Sequence, residues 1–198
     1  MLDVLISHSL LVALIWIGLA LFDYASTLWL ARAYRSVLSH YILFEGGLEL
    51  NPTFEREIAR GRPVSLKYLL GLGVYVLILL LTTLAGRSFT ELMAGGLLLT
   101  WIFVNMRHVH NYAHISSLRL RPDGMKGRLE YSYWLLQRLA SIDAFNFVML
   151  YLFLALLTGR LFFVAGALGC AALALRHYRL ANRKLASGEG AAAANKAN

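Results

Sequence analysis

A histidine-rich stretch near the middle of the chain carries the side chains best suited to bind a metal ion. It reads Asn105-Met106-Arg107-His108-Val109-His110-Asn111-Tyr112-Ala113-His114. On a helix, at about 100° per residue, Arg107, Asn111 and the last two histidines share an arc of roughly 100°, with His108 about 60° beyond it. His110 and His114 stand at i and i+4, a spacing at which two imidazoles on one helix face bind one metal. The stretch predicts a metal site on His110 and His114, with His108 as a further ligand and Asn111 as a binding residue.

Two aspartates in apolar segments are the expected carboxylate ligands. A charged side chain at the centre of a bilayer costs about 2.5–3.5 kcal/mol on insertion scales, so Asp23 and Asp143 should face protein rather than lipid. Asp143 is the first choice of third ligand, because its segment starts on the side where the histidine stretch ends. Thr27, four residues after Asp23, shares its helix face and is expected at the same pocket. Mixed imidazole and carboxylate ligands favour a divalent transition metal, zinc first.

The same residues admit an interpretation without metal. Histidines at the end of a membrane helix can bond to lipid headgroups or to neighbouring carboxylates, and Asp143 would then only orient one of them. Haem is disfavoured, because its axial ligands usually face each other across helices. The histidines outside the stretch are dispersed along the chain, at His8, His40 and His177.

The first long connection is unusually apolar for an exposed loop. It contains Gly46-Gly47-Leu48-Glu49-Leu50-Asn51-Pro52 within an apolar region from Tyr41 to Phe54. A segment too short to span, and broken by Gly and Pro, is typical of a re-entrant loop or of one packed on the bundle mouth. That interpretation places Glu49 and Asn51 beside Asp23. A plain turn ended by proline is the alternative.

Three motifs in the first half of the chain resemble a group of small uncharacterised prokaryotic polytopic membrane proteins. The motifs are Asp23-Tyr24-Ala25-Ser26-Thr27, Glu49-Leu50-Asn51-Pro52 and Leu66-Lys67-Tyr68. They match a recurring pattern of an intramembrane D-x-x-(S/T)-T, an E-x-N-P loop and a Lys that opens the next helix, over roughly Leu19 to Leu84. The resemblance implies a shared membrane fold and a polar site of Asp23, Glu49, Asn51 and Lys67. It implies no activity.

Composition identifies the setting in which these residues must be positioned. The chain of 198 residues is 59% hydrophobic and only 15% charged, against about 45–50% and 25% in soluble domains. Its mean hydropathy is +0.60. Apolar runs long enough to cross a bilayer predict an all-α polytopic helix bundle of about five transmembrane helices. Five runs carry the prediction: Val4 to Leu30, Leu66 to Ala85, Phe89 to Met106, Leu135 to Leu157 and Leu161 to Leu175.

The distribution of Lys and Arg predicts the orientation. Of the 19 basic residues, all but Arg87 and Arg160 fall in or beside the first connection, the connection after the third segment and the C-terminal tail. The positive-inside rule then places the N-terminus outside and the C-terminus in the cytoplasm. The same rule explains the net charge of +8 without a nucleic-acid partner. Residues 1–185 form one transmembrane domain in this interpretation, and 186–198 form a disordered cytoplasmic tail.

Three functions remain open at this point. The first is cation binding or transport in a cytoplasm-facing Asp/Glu/His pocket of a multi-pass protein of the cytoplasmic (inner) membrane. The second is a structural or partner-subunit scaffold, in which the polar groups satisfy one another and fix helix packing. The third is a metal-dependent intramembrane hydrolase with a water activated on the metal. The bilayer is the expected partner, and a homo-oligomer or larger membrane complex is compatible with each function.

Overall fold

Five helices and one short pair of strands make up the part of the chain that the computed structural model describes, residues 8–36, 39, 42–44, 64–121, 127 and 129–186. The strands β1 (Ile42–Phe44) and β2 (Leu129–Tyr131) pair in parallel, with Leu43 opposite Glu130. The helices are α1 (Ser9–Ser36), α2 (Leu66–Thr82), α3 (Arg87–Leu120), α4 (Tyr133–Thr158) and α5 (Leu161–Ala186). Because β1 follows α1 and β2 precedes α4, the strand pair joins two connections at one end of the bundle.

Four of the helices, α1, α3, α4 and α5, are long and apolar enough to cross a membrane. The fifth, α2, has 17 residues, or about 25 Å at 1.5 Å per residue, against a hydrocarbon core of about 30 Å. Large apolar side chains remain exposed on the outside of the bundle, among them Leu70, Val74, Phe153 and Leu156. Such a surface suits lipid and not water. The prediction of an all-α membrane helix bundle is confirmed at this level.

Contacts along the first three helices give their relative directions. The carbonyl of Leu19 accepts a hydrogen bond from Asn105, and further along Ala33 shares a buried cluster with Ile115, so α1 and α3 are parallel. The helix that lies between them along the chain, α2, is antiparallel to both. Its contacts with α1 are Trp16 with Tyr75 and Ala20 with Tyr68.

The last two helices continue the alternation. Tyr151 donates to the carbonyl of Leu99 at 3.1 Å, and Phe147 packs on Phe103, so α4 is antiparallel to α3. A turn at Gly159, which has a φ of 64°, reverses the chain into α5. That left-handed conformation is one that glycine adopts without strain. The bundle therefore has α1, α3 and α5 running one way and α2 and α4 the other.

Glycines permit a close approach of α3 and α5. A Cβ on Gly95 would lie 2.0 Å from the carbonyl oxygen of Phe162, and one on Gly169 would lie 2.1 Å from Thr100 Oγ1. In lipid, small residues at helix contacts allow the van der Waals packing that replaces the hydrophobic effect between helices. The contact holds α3 at the centre of the bundle, between α1 and α5.

The third helix is longer than its apolar run. The run was expected to end near Met106, but α3 has 34 residues and continues to Leu120. At 1.5 Å per residue it is about 51 Å long, so about 20 Å of it extends beyond the hydrocarbon core. The histidine stretch begins where the apolar run ends. The apolar loop from 45 to 54 and the tail beyond Ala186 lie outside the described residues.

Candidate functional site

A carboxylate and an imidazole form the centre of a polar cluster inside the apolar bundle. Asp23 of α1 and His108 of α3 approach to 2.7 Å between Oδ1 and Nε2, and their side chains are 21% and 14% exposed. That separation is typical of a strong, charge-assisted hydrogen bond. Because α1 and α3 are parallel, the pair lies toward the end of the bundle where the basic residues concentrate.

Two hydroxyl groups adjoin the pair. Thr27 Oγ1 donates to the backbone carbonyl of Asp23 at 3.0 Å and lies 3.5 Å from His108 Nε2. Tyr68 Oη lies 2.5 Å from the carbonyl oxygen of Ala20 and 3.5 Å from Asp23 Oδ2. The cluster thus draws on α1, α2 and α3, and it offers one carboxylate, one imidazole and two hydroxyls.

The second ring nitrogen of His108 is the unusual atom of the cluster. Nδ1 is buried and has no hydrogen-bond partner among the described residues, and the same holds for Oδ1 of Asn105. If Nε2–H donates to Asp23, then Nδ1 carries a lone pair. Metal-binding histidines commonly have this arrangement, with one nitrogen on the metal and the other held by a carboxylate. Chemically, the cluster can present an oriented imidazole nitrogen to a cation.

The predicted metal pair lies apart from this cluster. The rings of His110 and His114 are in tilted contact on the exposed side of α3, with centroids 4.3 Å apart and an angle of 54° between their planes. Asn111 is also exposed. No described group of three or more His, Cys, Asp or Glu residues is placed to hold a metal, so the three-ligand site stays a prediction.

The predicted third ligand has a basic partner. Asp143 Oδ2 lies 3.5 Å from Arg107 Nε, and its side chain is 51% exposed. A guanidinium from the neighbouring helix therefore balances this carboxylate at the edge of α4. Six residues earlier on α4, Gln137 Oε1 lies 2.5 Å from His177 Nδ1, so α4 and α5 also share a polar contact.

The motif residues of the resemblance divide between two locations. Asp23 and Thr27 belong to the cluster, whereas Lys67 is exposed at the start of α2. Its neighbour Tyr68 contacts the Asp23 carboxylate, in the polar site where the resemblance implied Lys67. Glu49 and Asn51 lie outside the described residues, so their predicted approach to Asp23 stays a prediction.

Sequence reasoning missed three polar contacts. It named Tyr68 and Asn105 only as members of motifs, and it did not single out Glu91. The structure places Glu91 Oε1 3.0 Å from Arg160 Nε, and it accepts a hydrogen bond from the Phe162 amide at 3.4 Å. The 69 positions that separate Glu91 from Arg160 along the chain gave no signal for this pair. That contact holds the N-terminus of α5 against α3.

Comparison with known proteins gives no relative from which a function could be inferred. No family model, curated protein or solved structure matches it. The resemblance carried by the three motifs therefore stays a prediction. What the fold defines is a class: a polytopic membrane helix bundle with a polar cluster built on Asp23 and His108.

Proposed function

We propose that the chain is a five-span protein of the cytoplasmic membrane, with its N-terminus outside and its C-terminus in the cytoplasm. Parallel α1 and α3 support the count of five, because the chain must return across the bilayer between them and α2 is the segment available. The basic residues support the orientation, since they flank the C-terminal ends of α1, α3 and α5.

Within that topology, the proposed function is to bind a divalent cation at the cytoplasmic end of the bundle, for retention or transport. The supporting observation is the contact between Asp23 and His108, together with the buried Nδ1 of the imidazole, which has no hydrogen-bond partner among the described residues. Ionisable groups inside a membrane protein are costly, and they commonly mark ion pathways and binding sites.

In the proposed site, His108 binds the cation through Nδ1, while Asp23 accepts from Nε2, orients the ring and offsets the positive charge. Zinc is the first candidate, because it accepts imidazole and oxygen ligands in a small tetrahedral set. His108 alone supplies too few ligands for that set. Glu49 and Asn51, which the sequence places at the same mouth, are the proposed source of the remainder.

The test is the metal content and affinity of protein purified without a histidine tag. Wild-type protein and the variants Asp23→Asn, His108→Ala and Glu49→Gln would be titrated with zinc, cobalt and nickel. We expect about one equivalent of zinc in the wild type and loss of that zinc in His108→Ala. For Asp23→Asn we expect about 10–100-fold weaker binding, the usual cost of removing a carboxylate that holds a ligating histidine.

The double variant His110→Ala/His114→Ala is the matched control, because it removes two imidazoles from the same helix and leaves the cluster intact. Wild-type affinity in this variant supports the proposed site. Loss of zinc here, together with retention in His108→Ala, would move the site to the exposed pair and overturn the assignment.

A scaffold is the second candidate, and a separate observation favours it. Polar groups elsewhere in the bundle are paired across helices, as Arg107 is with Asp143 and Glu91 is with Arg160. Such pairs fix the relative positions of helices without binding anything. Wild-type protein that takes up no zinc, cobalt or nickel would favour the scaffold over the cation site.

A further inference from the structure

An apolar groove runs between α4 and α5 on the outside of the bundle. It has a volume of about 680 Å³, within the range of roughly 300–1,000 Å³ that is usual for ligand sites. Ile142 and Phe145 line it from α4, and Ala171 and Leu175 line it from α5. Three of these side chains are about half exposed, so in a membrane the groove opens to lipid.

One end of the groove is cationic. Arg138 lines the groove there, with its guanidinium 4.2 Å from the centre of the Tyr178 ring. Stacking on a ring uses the face of the guanidinium and leaves N–H groups at its edge for an acceptor. A second cation is at the same end of the helix pair, where Lys184 lies 5.9 Å from the Tyr133 ring.

The two ends of the groove lie at different depths. Arg138 is in the second turn of α4, near the first residues of that helix, whereas Val148 is about 15 Å further along it at 1.5 Å per residue. A groove of this kind starts at headgroup level and continues beside the hydrocarbon. Basic pockets between transmembrane helices are known to bind anionic lipid headgroups on the cytoplasmic side.

We propose that this groove is a binding site for an anionic glycerophospholipid, with one acyl chain between α4 and α5 and the phosphate at Arg138. Charge complementarity selects the headgroup, and the apolar lining selects the chain. The site lies on the opposite side of α3 from Asp23 and His108. It is therefore independent of the proposed cation site, and either can fail alone.

The test measures which lipids remain bound to the full chain. Native mass spectrometry releases the protein from detergent micelles and records the lipids that stay attached. Phosphatidylglycerol and phosphatidylcholine with identical acyl chains would be added in equal amounts. We expect phosphatidylglycerol to remain bound at several times the level of phosphatidylcholine. Arg138→Gln should reduce retention of phosphatidylglycerol more than that of phosphatidylcholine, and so should reduce this preference severalfold. Ala171→Phe, which fills the groove, should reduce retention of both lipids.

Two matched variants control for non-specific effects. Arg179→Gln removes an exposed arginine beside Tyr178, and Ala172→Phe adds the same ring on the neighbouring exposed position; neither position lines the groove. Both should behave as wild type. Equal retention of the two lipids, or equal loss in Arg138→Gln and Arg179→Gln, would overturn the headgroup assignment. A dimer that Ala171→Phe dissociates without changing lipid retention would assign the groove to a second copy instead.

Discussion

Two adjacent residues, Arg107 and His108, connect α3 to opposite sides of the bundle. Arg107 reaches Asp143 of α4, and His108 reaches Asp23 of α1. Neighbours on a helix point about 100° apart, so one turn of α3 can serve two polar contacts. The helical angles calculated from the sequence predicted that the His108 and Arg107 side chains point in different directions. It could not predict which helix each side would meet, because that depends on how the helices are arranged in space.

The contact between Asp23 and His108 should be measurable as a coupling energy in metal-free protein. We expect a double-mutant cycle with Asp23→Ala and His108→Ala to give a coupling of about 0.6 kcal/mol, and at most about 1.7 kcal/mol. Polar contacts in membrane proteins have modest net energies, since the unfolded state in the membrane also finds partners. The measurement is the free energy of unfolding in a detergent mixture.

His110 supplies the control for that cycle. It lies on the same helix, is exposed and contacts His114. A cycle between Asp23→Ala and His110→Ala should show coupling within about 0.3–0.5 kcal/mol of zero, as is usual for sites that share no contact. Coupling of the same size in both cycles would mean that the Asp23 carboxylate acts through the general charge of the helix end and not through His108.

Among the elements, the contact between α3 and α5 tolerates the least change. We expect Gly95→Ala to destabilise the bundle by about 1–3 kcal/mol, the usual cost of overpacking, because the new Cβ would overlap the Phe162 carbonyl. The measurement is the unfolding free energy in the same detergent mixture, with helicity as the signal.

Gly71 of α2 is the matched position for this test. A Cβ there would meet nothing within 4 Å. Gly71→Ala should be neutral or should stabilise the protein by up to about 1 kcal/mol, through the higher helix propensity of alanine. If both variants destabilise the protein equally, the close approach of α3 and α5 is not what limits stability.

The ends of the elements show what the sequence could and could not predict. Hydrophobic runs located all five helices, because a bilayer requires a continuous apolar segment. The runs underestimated the length of α3, which continues beyond Met106 through polar residues to Leu120. Hydropathy detects the lipid-facing part of a helix, and the part in water is held by backbone hydrogen bonds and helix contacts that composition does not report.

Contacts between helices were predicted less well than the helices themselves. The sequence indicated that Asp23 needs a partner, since a carboxylate in an apolar helix is costly. Its partners Tyr68 and His108 lie 45 and 85 positions away along the chain. Spacing within one helix gives no information about such distant pairs, so the sequence could identify polar candidates but not their pairing.

At the scale of the whole molecule, alternating helix directions and basic residues at one end support the proposed topology of five spans. That topology predicts which chain positions a membrane-impermeant maleimide reaches from outside intact cells. The native chain suits this experiment, because its one cysteine, Cys170, is buried. Single cysteines would be introduced at Ala85, between α2 and α3, at Thr158, beside the turn into α5, and at Arg121, after α3.

We expect Ala85→Cys and Thr158→Cys to be labelled in intact cells, and Arg121→Cys only after the membrane is permeabilised. Unaltered protein provides the background, and labelling in detergent shows that each cysteine can react. Ala85 is the decisive position, since it lies outside only if the short helix α2 crosses the bilayer. Labelling of Arg121→Cys from outside, with Ala85→Cys protected, would reverse the orientation of α3. It would also place the Asp23 and His108 cluster toward the external side, where a cytoplasmic cation could not reach it.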